Sequence, residues 1–255
     1  MRALLKWLGI IPLFISFSLI SGVIGLFPVV RRIKRAAAIQ VTSFFSRLVL
    51  KLLGVRVQVK HRERLRTKSE VCLIVANHLS YIDVLILSSL VPAVFVTSVE
   101  LKHTAVIGAL ARLSGSIFVE RRKSSGLKRE IGEIVFVLGQ GLPVALFPEG
   151  TTSNGDRVHQ FKNSLFDAAV ATRAAIMPLC LRYTRVKGQP LTPQNRDDVF
   201  YYGGITFFNH LPRLLSLSSI DVEIVPLSTV TPTPHQTRKD LSILTQSAIS
   251  EAYHH

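Results

Sequence analysis

After residue 54 the chain alternates between short apolar runs and stretches of helical periodicity, and this alternation limits the fold more than any other feature. The short runs are rich in valine and isoleucine, which predicts strands, and the stretches between them carry apolar residues at helical spacing. Such alternation predicts an α/β fold with a mostly parallel central sheet flanked by helices, whose ligands gather at the carboxyl ends of the strands. The predicted strands are 55–59, 71–76, 93–97, 116–119, 143–147, 175–181 and 221–226. The predicted helices are 82–90, 104–112, 125–139, 162–173 and 239–252, with a loop at 187–198.

The first 53 residues have a different character. Trp7–Val30 is a run of 24 uncharged residues, which as a helix is about 36 Å long and can cross a bilayer. Pro12 and Pro28 leave only about 22 Å uninterrupted, so a kinked span and a shallow or re-entrant segment are both open. Residues 36–53 have a cationic amphipathic pattern that suits a membrane surface or the cover of a domain core. We therefore divide the chain into a membrane-associating helical motif, 1–53, and an α/β domain, 54–255.

The net charge of +15 is concentrated near the N-terminus, where eleven of the 31 lysine and arginine residues precede Glu63, the first acidic residue. A basic surplus beside an apolar segment favours an anionic membrane over nucleic acid as the partner. The positive-inside rule gives the same pattern and predicts the cytoplasmic membrane, with the α/β domain on its cytoplasmic side. Cys72 and Cys180 lie in apolar runs, as expected of core residues in a reducing compartment.

A polar cluster, Asn77–Asp83 (NHLSYID), follows the predicted strand 71–76 and opens a predicted helix. With Ser80 as the N-cap of that helix, His78 lies before it and can fold back towards Asp83. A carboxylate on one imidazole nitrogen fixes the tautomer and leaves the other nitrogen free to take a proton. Alone, a histidine and an aspartate at this spacing are weak evidence.

Two further clusters also follow predicted strands. Phe147–Gly155 (FPEGTTSNG) offers glycines, hydroxyls and backbone N–H groups that can surround a phosphate or an oxyanion, and Glu149 can bind a hydroxyl or hold a basic residue. Gly115–Arg121 (GSIFVER) ends in an arginine, whose geometry suits phosphate. Taken singly, the first is also an ordinary polar turn and the second an ordinary surface charge.

In this order and spacing, the clusters resemble the blocks of the 1-acylglycerol-3-phosphate acyltransferase family, within the glycerolipid acyltransferase superfamily. The resemblance covers about residues 50–185, with Ile176–Leu179 (IMPL) as a short fourth block. It implies that His78 is the general base, that Asp83 orients it, and that a two-helix membrane motif precedes the α/β domain. It further implies that Pro178 shapes the acyl or acceptor site. The acceptor site itself is expected to include Arg121, Glu149, Gly150, Thr151 and Lys162.

The chemistry expected from these residues is acyl transfer from a thioester of acyl carrier protein or coenzyme A. A thioester is already activated, so a hydroxyl deprotonated by His78 can attack it without a protein nucleophile. The sequence contains no G-x-S-x-G elbow and no histidine or cysteine spacing typical of metal sites, and we expect neither a metal nor a cofactor.

The expected acceptor is the free hydroxyl of a lysolipid, 1-acylglycerol-3-phosphate giving phosphatidic acid, with lyso-ornithine lipid or another lysophospholipid as the alternative. Many lysophosphatidate-using members have an arginine where this chain has Thr152, and a lysine-rich stretch where it has Thr97–Leu101. Both differences remove positive charge that would hold a phosphate monoester. A non-catalytic membrane adaptor and a lipid hydrolase are the alternatives from other classes; replacement of His78 and identification of the acyl product distinguish them.

Overall fold

The computed structural model describes residues 2–65, 71–104, 106–120 and 127–254. Its strands are β1 (Val55–Val59), β2 (Cys72–Ala76), β3 (Val94–Ser98), β4 (Ile117–Val119), β5 (Val144–Leu146), β6 (Ala175–Val186), β7 (Gln189–Pro190) and β8 (Ile220–Pro226). They form one sheet in the order β1-β8-β6-β2-β5-β3-β4, with β7 paired to β6. In this described part, β6 pairs antiparallel with β7 and β8, and the other neighbours are parallel. The predicted mostly parallel sheet is confirmed.

Helices cover both faces of the sheet. They are α1 (Arg2–Leu26), α2 (Arg31–Leu53), α3 (Ile82–Leu90), α4 (Val99–Lys102), α5 (Ile107–Leu113), α6 (Leu127–Gly139), α7 (Asp167–Thr172), α8 (Phe207–Ser216) and α9 (Arg238–His254). The side chains of β2 alternate between two hydrophobic clusters, with Cys72 and Ile74 on one face and Leu73 and Val75 on the other. Because both faces of a parallel sheet are covered, its central strands are apolar throughout, as β2 is.

The sequence prediction lacks α4 and β7, the latter within the predicted loop 187–198, and it differs from the structure in three larger ways in the α/β domain. β6 continues to Val186, five residues beyond the predicted end, because β8 pairs with it from Leu179 to Val186. The predicted helix 162–173 is divided into a 3-10 turn, Asn163–Phe166, followed by α7. No helix is predicted for 207–216, where α8 forms with Pro212 inside it, a residue type that ordinarily signals the end of a helix.

The two N-terminal helices pack against each other and against the α/β domain. α1 is continuous through Pro12, and α2 begins five residues before the predicted start. Lys6 donates from Nζ to the backbone oxygens of Leu53 and Leu217, both at 2.6 Å, which ties α1 to the ends of α2 and α8. The ring centroids of Phe17 in α1 and Phe45 in α2 lie 5.6 Å apart. Both helices are long and apolar enough to cross a membrane, by length and composition.

Candidate active site

The polar clusters Asn77–Asp83 and Phe147–Gly155 meet at the carboxyl edge of the sheet. β2 and β5 are parallel neighbours, with Val75 opposite Leu146, so the residues that follow each strand emerge side by side. The backbone N–H of Ser153 donates to the carbonyl oxygen of His78 at 3.0 Å. The side-chain amide of Asn77 exchanges two hydrogen bonds with the backbone of Leu181, which continues the ladder between β2 and β6 beyond the strand. The expected gathering of polar groups at this edge is therefore observed.

His78 and Asp83 form a hydrogen-bonded pair. Nδ1 of His78 lies 2.8 Å from Oδ2 of Asp83, which is completely buried, whereas the imidazole keeps 17% of its surface exposed. The same carboxylate oxygen accepts the backbone N–H groups of Leu79 and Ser80 at 2.7 and 2.8 Å. Asp83 therefore caps the start of α3, and Ser80 does not act as the predicted side-chain N-cap. The carboxylate is better placed because it reaches back from the first turn to two free backbone donors.

The other oxygen of Asp83, Oδ1, accepts a hydrogen bond of 2.5 Å from the hydroxyl of Tyr183. Burial and the neighbouring Asp83 charge raise the pKa of Tyr183 well above its ordinary value, so the hydroxyl stays protonated and donates. Sequence reasoning missed Tyr183, which lies 100 residues from its partner. The signal available in the sequence is the two-residue spacing of Leu179, Leu181 and Tyr183, which indicates that all three lie on the same face of β6.

The imidazole plane is set by Phe147, whose ring stacks on His78 with centroids 3.9 Å apart and planes 11° apart. With Nδ1 held by Asp83, the nitrogen available for proton transfer is Nε2. Within the described part of the chain, Nε2 has no hydrogen-bond partner. A histidine in this state can act as a general base towards a bound hydroxyl.

Glu149 joins the two clusters through its carboxylate. Oε1 accepts the backbone N–H of His78 at 2.7 Å, and Oε2 accepts the backbone N–H of His159 at 2.8 Å. Burial raises the pKa of Glu149 to about 7; the two backbone donors oppose this shift, and the nearby Asp83 adds to it. The carboxyl group thus holds the backbone on both sides of the site, a role that sequence reasoning did not assign to it.

The other predicted acceptor-site residues differ in burial and in their position relative to the sheet edge. Gly150 has a φ of +76°, and a Cβ there would lie 2.9 Å from Nζ of Lys162, so glycine permits the close approach of that ammonium group. Thr151 is exposed on the same loop. Pro178 is buried within β6 opposite Val75, inside the sheet and not at its edge. Arg121 lies outside the described residues.

Comparison with known proteins agrees with this geometry. Residues 56–182 match the family described as Acyltransferase. The lyso-ornithine lipid O-acyltransferase of Rhizobium meliloti (strain 1021) is 36% identical over 207 residues, which cover 78% of this chain and 70% of that protein. The Brucella abortus (strain 2308) protein of the same name is 34% identical, covering 71% of this chain and 70% of its own length. The 1-acyl-sn-glycerol-3-phosphate acyltransferase of Neisseria gonorrhoeae is 29% identical over half of each chain.

The fold is shared with a solved enzyme. The crystal structure of the 1-acyl-sn-glycerophosphate acyltransferase of Thermotoga maritima superposes with a TM-score of 0.65 at 18% identity, covering 98% of this chain and 96% of that one. The match includes the two N-terminal helices, since it spans nearly the whole of both chains. Two lyso-ornithine lipid O-acyltransferases are more than 30% identical to this chain over 70% of their own length. The chain therefore belongs to the acyltransferase family.

Proposed function

We propose that this enzyme transfers a fatty acyl group from an acyl thioester to the free hydroxyl of a lysolipid, with His78 as the general base. The observation that carries the proposal is the state of the imidazole: Nδ1 is bound to a buried carboxylate, and Nε2 has no partner within the described residues. This arrangement supplies one proton acceptor, oriented and electrostatically supported, which is what alcoholysis of a thioester requires.

The reaction then follows in two steps. Nε2 of His78 takes the proton of the acceptor hydroxyl as the oxygen attacks the thioester carbonyl, and Asp83 stabilises the imidazolium through Nδ1. The tetrahedral intermediate collapses with cleavage of the carbon–sulfur bond, and the imidazolium returns the proton to the departing thiolate. The products are the O-acylated lipid and a free thiol. The backbone N–H groups of Thr151 and Thr152 are the proposed donors to the intermediate's oxyanion, because the N–H of Gly150 already donates to the carbonyl oxygen of Phe147 at 3.1 Å.

For the acceptor, we favour lyso-ornithine lipid, and 1-acylglycerol-3-phosphate is the second candidate. The two lyso-ornithine lipid O-acyltransferases described above match this chain over 71 and 78% of its length, whereas the 1-acyl-sn-glycerol-3-phosphate acyltransferase of Neisseria gonorrhoeae matches half. Thr152 supports the same choice, because a zwitterionic headgroup needs less positive charge than a phosphate monoester. Lys162, beside Gly150, supplies a cation for the carboxylate or phosphate of either lipid.

We further propose that α1 lies in one leaflet of the cytoplasmic membrane. α1 contacts α8 and α5 as well as α2, so the α/β domain accompanies it along its length. A perpendicular span would carry the domain into the hydrocarbon region, where its polar loops are unfavourable. Thioesters of acyl carrier protein and coenzyme A are cytoplasmic, which supports a catalytic domain on that side.

The test is an acylation assay with the purified protein in detergent or vesicles. Labelled acyl carrier protein and coenzyme A thioesters are offered separately, each with lyso-ornithine lipid or 1-acylglycerol-3-phosphate. We expect label in an O-acylated lipid and none in free fatty acid. Release of the label as free fatty acid, or no turnover with any of the four pairs, would contradict the proposal.

A further inference from the structure

We infer that Tyr183 is a positioning residue for the general base, which acts on His78 through Asp83. The inference rests on the proposed function, because it assigns a role within the same proton transfer. The observation behind it is the hydrogen bond from the Tyr183 hydroxyl to Oδ1 of Asp83, on the side of the carboxylate opposite to His78.

β6 brings Tyr183 to this place because it is much longer than its neighbour β2. The pairing of β2 with β6 ends at Ala76 and Leu179. Beyond that point, Leu181 binds the side chain of Asn77, and Tyr183, two residues further on the same face, reaches Asp83. The overhanging end of β6 thus holds both ends of the motif that carries His78. β8 supports the overhang by pairing Tyr183 with Val222.

The surroundings of Asp83 make this bond important. Its side chain is completely buried, and burial of a carboxylate without hydrogen-bond donors is strongly unfavourable. Oδ2 has three partners, the ring of His78 and two backbone N–H groups, whereas Tyr183 is the partner of Oδ1. The hydroxyl therefore spreads the negative charge over both oxygens and limits how strongly Asp83 favours the imidazolium form of His78.

Removal of the Tyr183 hydroxyl should shift the pH dependence of the rate in a predictable direction. With Oδ1 unpaired, the negative charge concentrates on Oδ2, and the carboxylate favours the imidazolium form of His78 more strongly. Because the base must be neutral, the acid limb of the rate profile moves to higher pH. Among the described residues, the other titratable groups near the His78–Asp83 pair include Glu149, which accepts the backbone N–H of His78, and also His159, Tyr81 and Tyr253. Tyr183→Phe changes no hydrogen bond of these four residues.

The experiment compares pH profiles of kcat/KM for the full-length wild type, Tyr183→Phe and Tyr202→Phe. Tyr202 is a matched control, since its hydroxyl also donates to an aspartate, Asp197, at 2.7 Å. We expect Tyr183→Phe to lower activity about threefold or more on the acid limb, which corresponds to an upward shift of that limb by about half a pH unit or more, and to recover at high pH. Tyr202→Phe keeps the wild-type profile. In an Asp83→Asn background, Tyr183→Phe produces no further shift.

A uniform loss at every pH, or an unchanged limb in folded Tyr183→Phe, would overturn the inference and leave Tyr183 a packing residue. Thermal unfolding of each variant shows whether it is folded at the assay temperature. If Tyr183→Phe is not, 3-fluorotyrosine at position 183 tests the same bond, because its more acidic hydroxyl donates more strongly and shifts the limb to lower pH. Absence of acyl transfer by the wild type, or full activity of His78→Ala, contradicts the proposed function instead.

Discussion

His78 is held by four groups, one at the start of α3 and three in the segment that follows β5. Asp83 binds its ring nitrogen, Phe147 stacks on its ring, Glu149 accepts its backbone N–H and Ser153 donates to its backbone oxygen. As the proposed general base, an imidazole held in this way meets a bound hydroxyl without losing orientational freedom in the transition state. The geometry of this one ring therefore depends on the segments that follow β2 and β5.

Replacement of the base should remove the chemistry and leave the protein intact. His78→Ala is expected to lower kcat at least 10²-fold, because proton removal from the acceptor hydroxyl is lost. The measurement is acyl transfer under saturating substrates, together with recovery of the variant in the membrane fraction. His235→Ala, at an exposed histidine in a loop, is the control and should be fully active. Near-normal turnover by His78→Ala would rule out the general-base mechanism.

The acceptor preference should respond to charge at position 152. Thr152 is half-buried and precedes Ser153, whose N–H binds the backbone of His78, so an arginine there is close to the reacting hydroxyl. Thr152→Arg is expected to favour 1-acylglycerol-3-phosphate over lyso-ornithine lipid by about 1 to 3 kcal/mol, if the guanidinium binds the phosphate. Competition assays with both acceptors measure the ratio, with exposed Thr231→Arg as the control. An unchanged ratio, with loss of phosphate-acceptor activity in Arg121→Ala, would instead identify Arg121 as the main phosphate ligand.

The residues that sequence reasoning found and missed differ in a physical way. His78 and Glu149 lie within three residues of the end of an apolar strand, and Asp83 lies in the first turn of the helix that follows β2, so their location at the sheet edge is predictable from the chain itself. The contact between Tyr183 and Asp83 is made by the far end of β6, and the local alternation indicates the face on which Tyr183 lies but not its partner. The cap of α3 was assigned to Ser80 because hydroxyls are common caps, but the carboxylate of Asp83 reaches the same donors.

At the scale of elements, the loop after β5 is fixed to the loop after β2 by one buried carboxyl group. Because burial raises the pKa of Glu149 from 4.5 to about 7, the native state binds a proton more tightly than the unfolded chain. Glu149 therefore contributes stability that is complete below about pH 4.5 and is lost as the pH rises through about 7.

Glu149→Gln should remove this pH dependence. The amide retains one acceptor, so one of the backbone N–H groups of His78 and His159 loses its partner, at a cost of about 1 to 3 kcal/mol. We expect thermal unfolding between pH 5 and 8 to show a wild-type Tm that falls relative to the variant as the pH rises. Glu251→Gln, at an exposed position of α9, is the control. Parallel Tm curves for wild type and Glu149→Gln would show that this carboxyl group does not titrate in that range.

The predicted elements were most accurate where a strand or helix is defined by its own pattern. α3 has the predicted bounds, and β2 differs by one residue. The error at the end of β6 arose because a neighbour decides the outcome, since β8 extends that strand. Pro12, for which a kinked span and a shallow segment were both open, lies inside a continuous α1 that packs along α2. Close packing of this kind is visible at Gly9, where a Cβ would lie 2.8 Å from the side chain of Leu52.

For the whole molecule, the N-terminal helices give a largely apolar surface and fewer free cations than the sequence suggests. Arg31 and Arg35 of α2 both pair with Glu133 of α6, at 3.2 and 2.5 Å, and Arg32 donates to the backbone of Gln140. Lys51 is exposed and has no partner among the described residues. The exposed apolar side chains of α1 include Leu4, Leu5, Leu8, Ile11, Ile15, Leu19, Ile20, Val23 and Leu26. Attachment should therefore depend mainly on hydrophobic contact with the bilayer.

High salt should accordingly leave the enzyme on the membrane. At about 1 M salt the Debye length is about 3 Å, so the attraction of basic residues to anionic lipid is screened, whereas burial of apolar side chains in the bilayer is not weakened. Replacing Leu5, Leu8 and Ile15 together with serine removes three exposed contacts worth about 1.5 to 3 kcal/mol each when fully buried, and it leaves the packed face of α1 unchanged. Sedimentation with anionic vesicles should show this variant partly released at low salt, and Lys51→Ala retained. Complete recovery of the wild type in the soluble fraction after a salt wash would show that electrostatic attraction, and not the face of α1, holds the enzyme to the membrane.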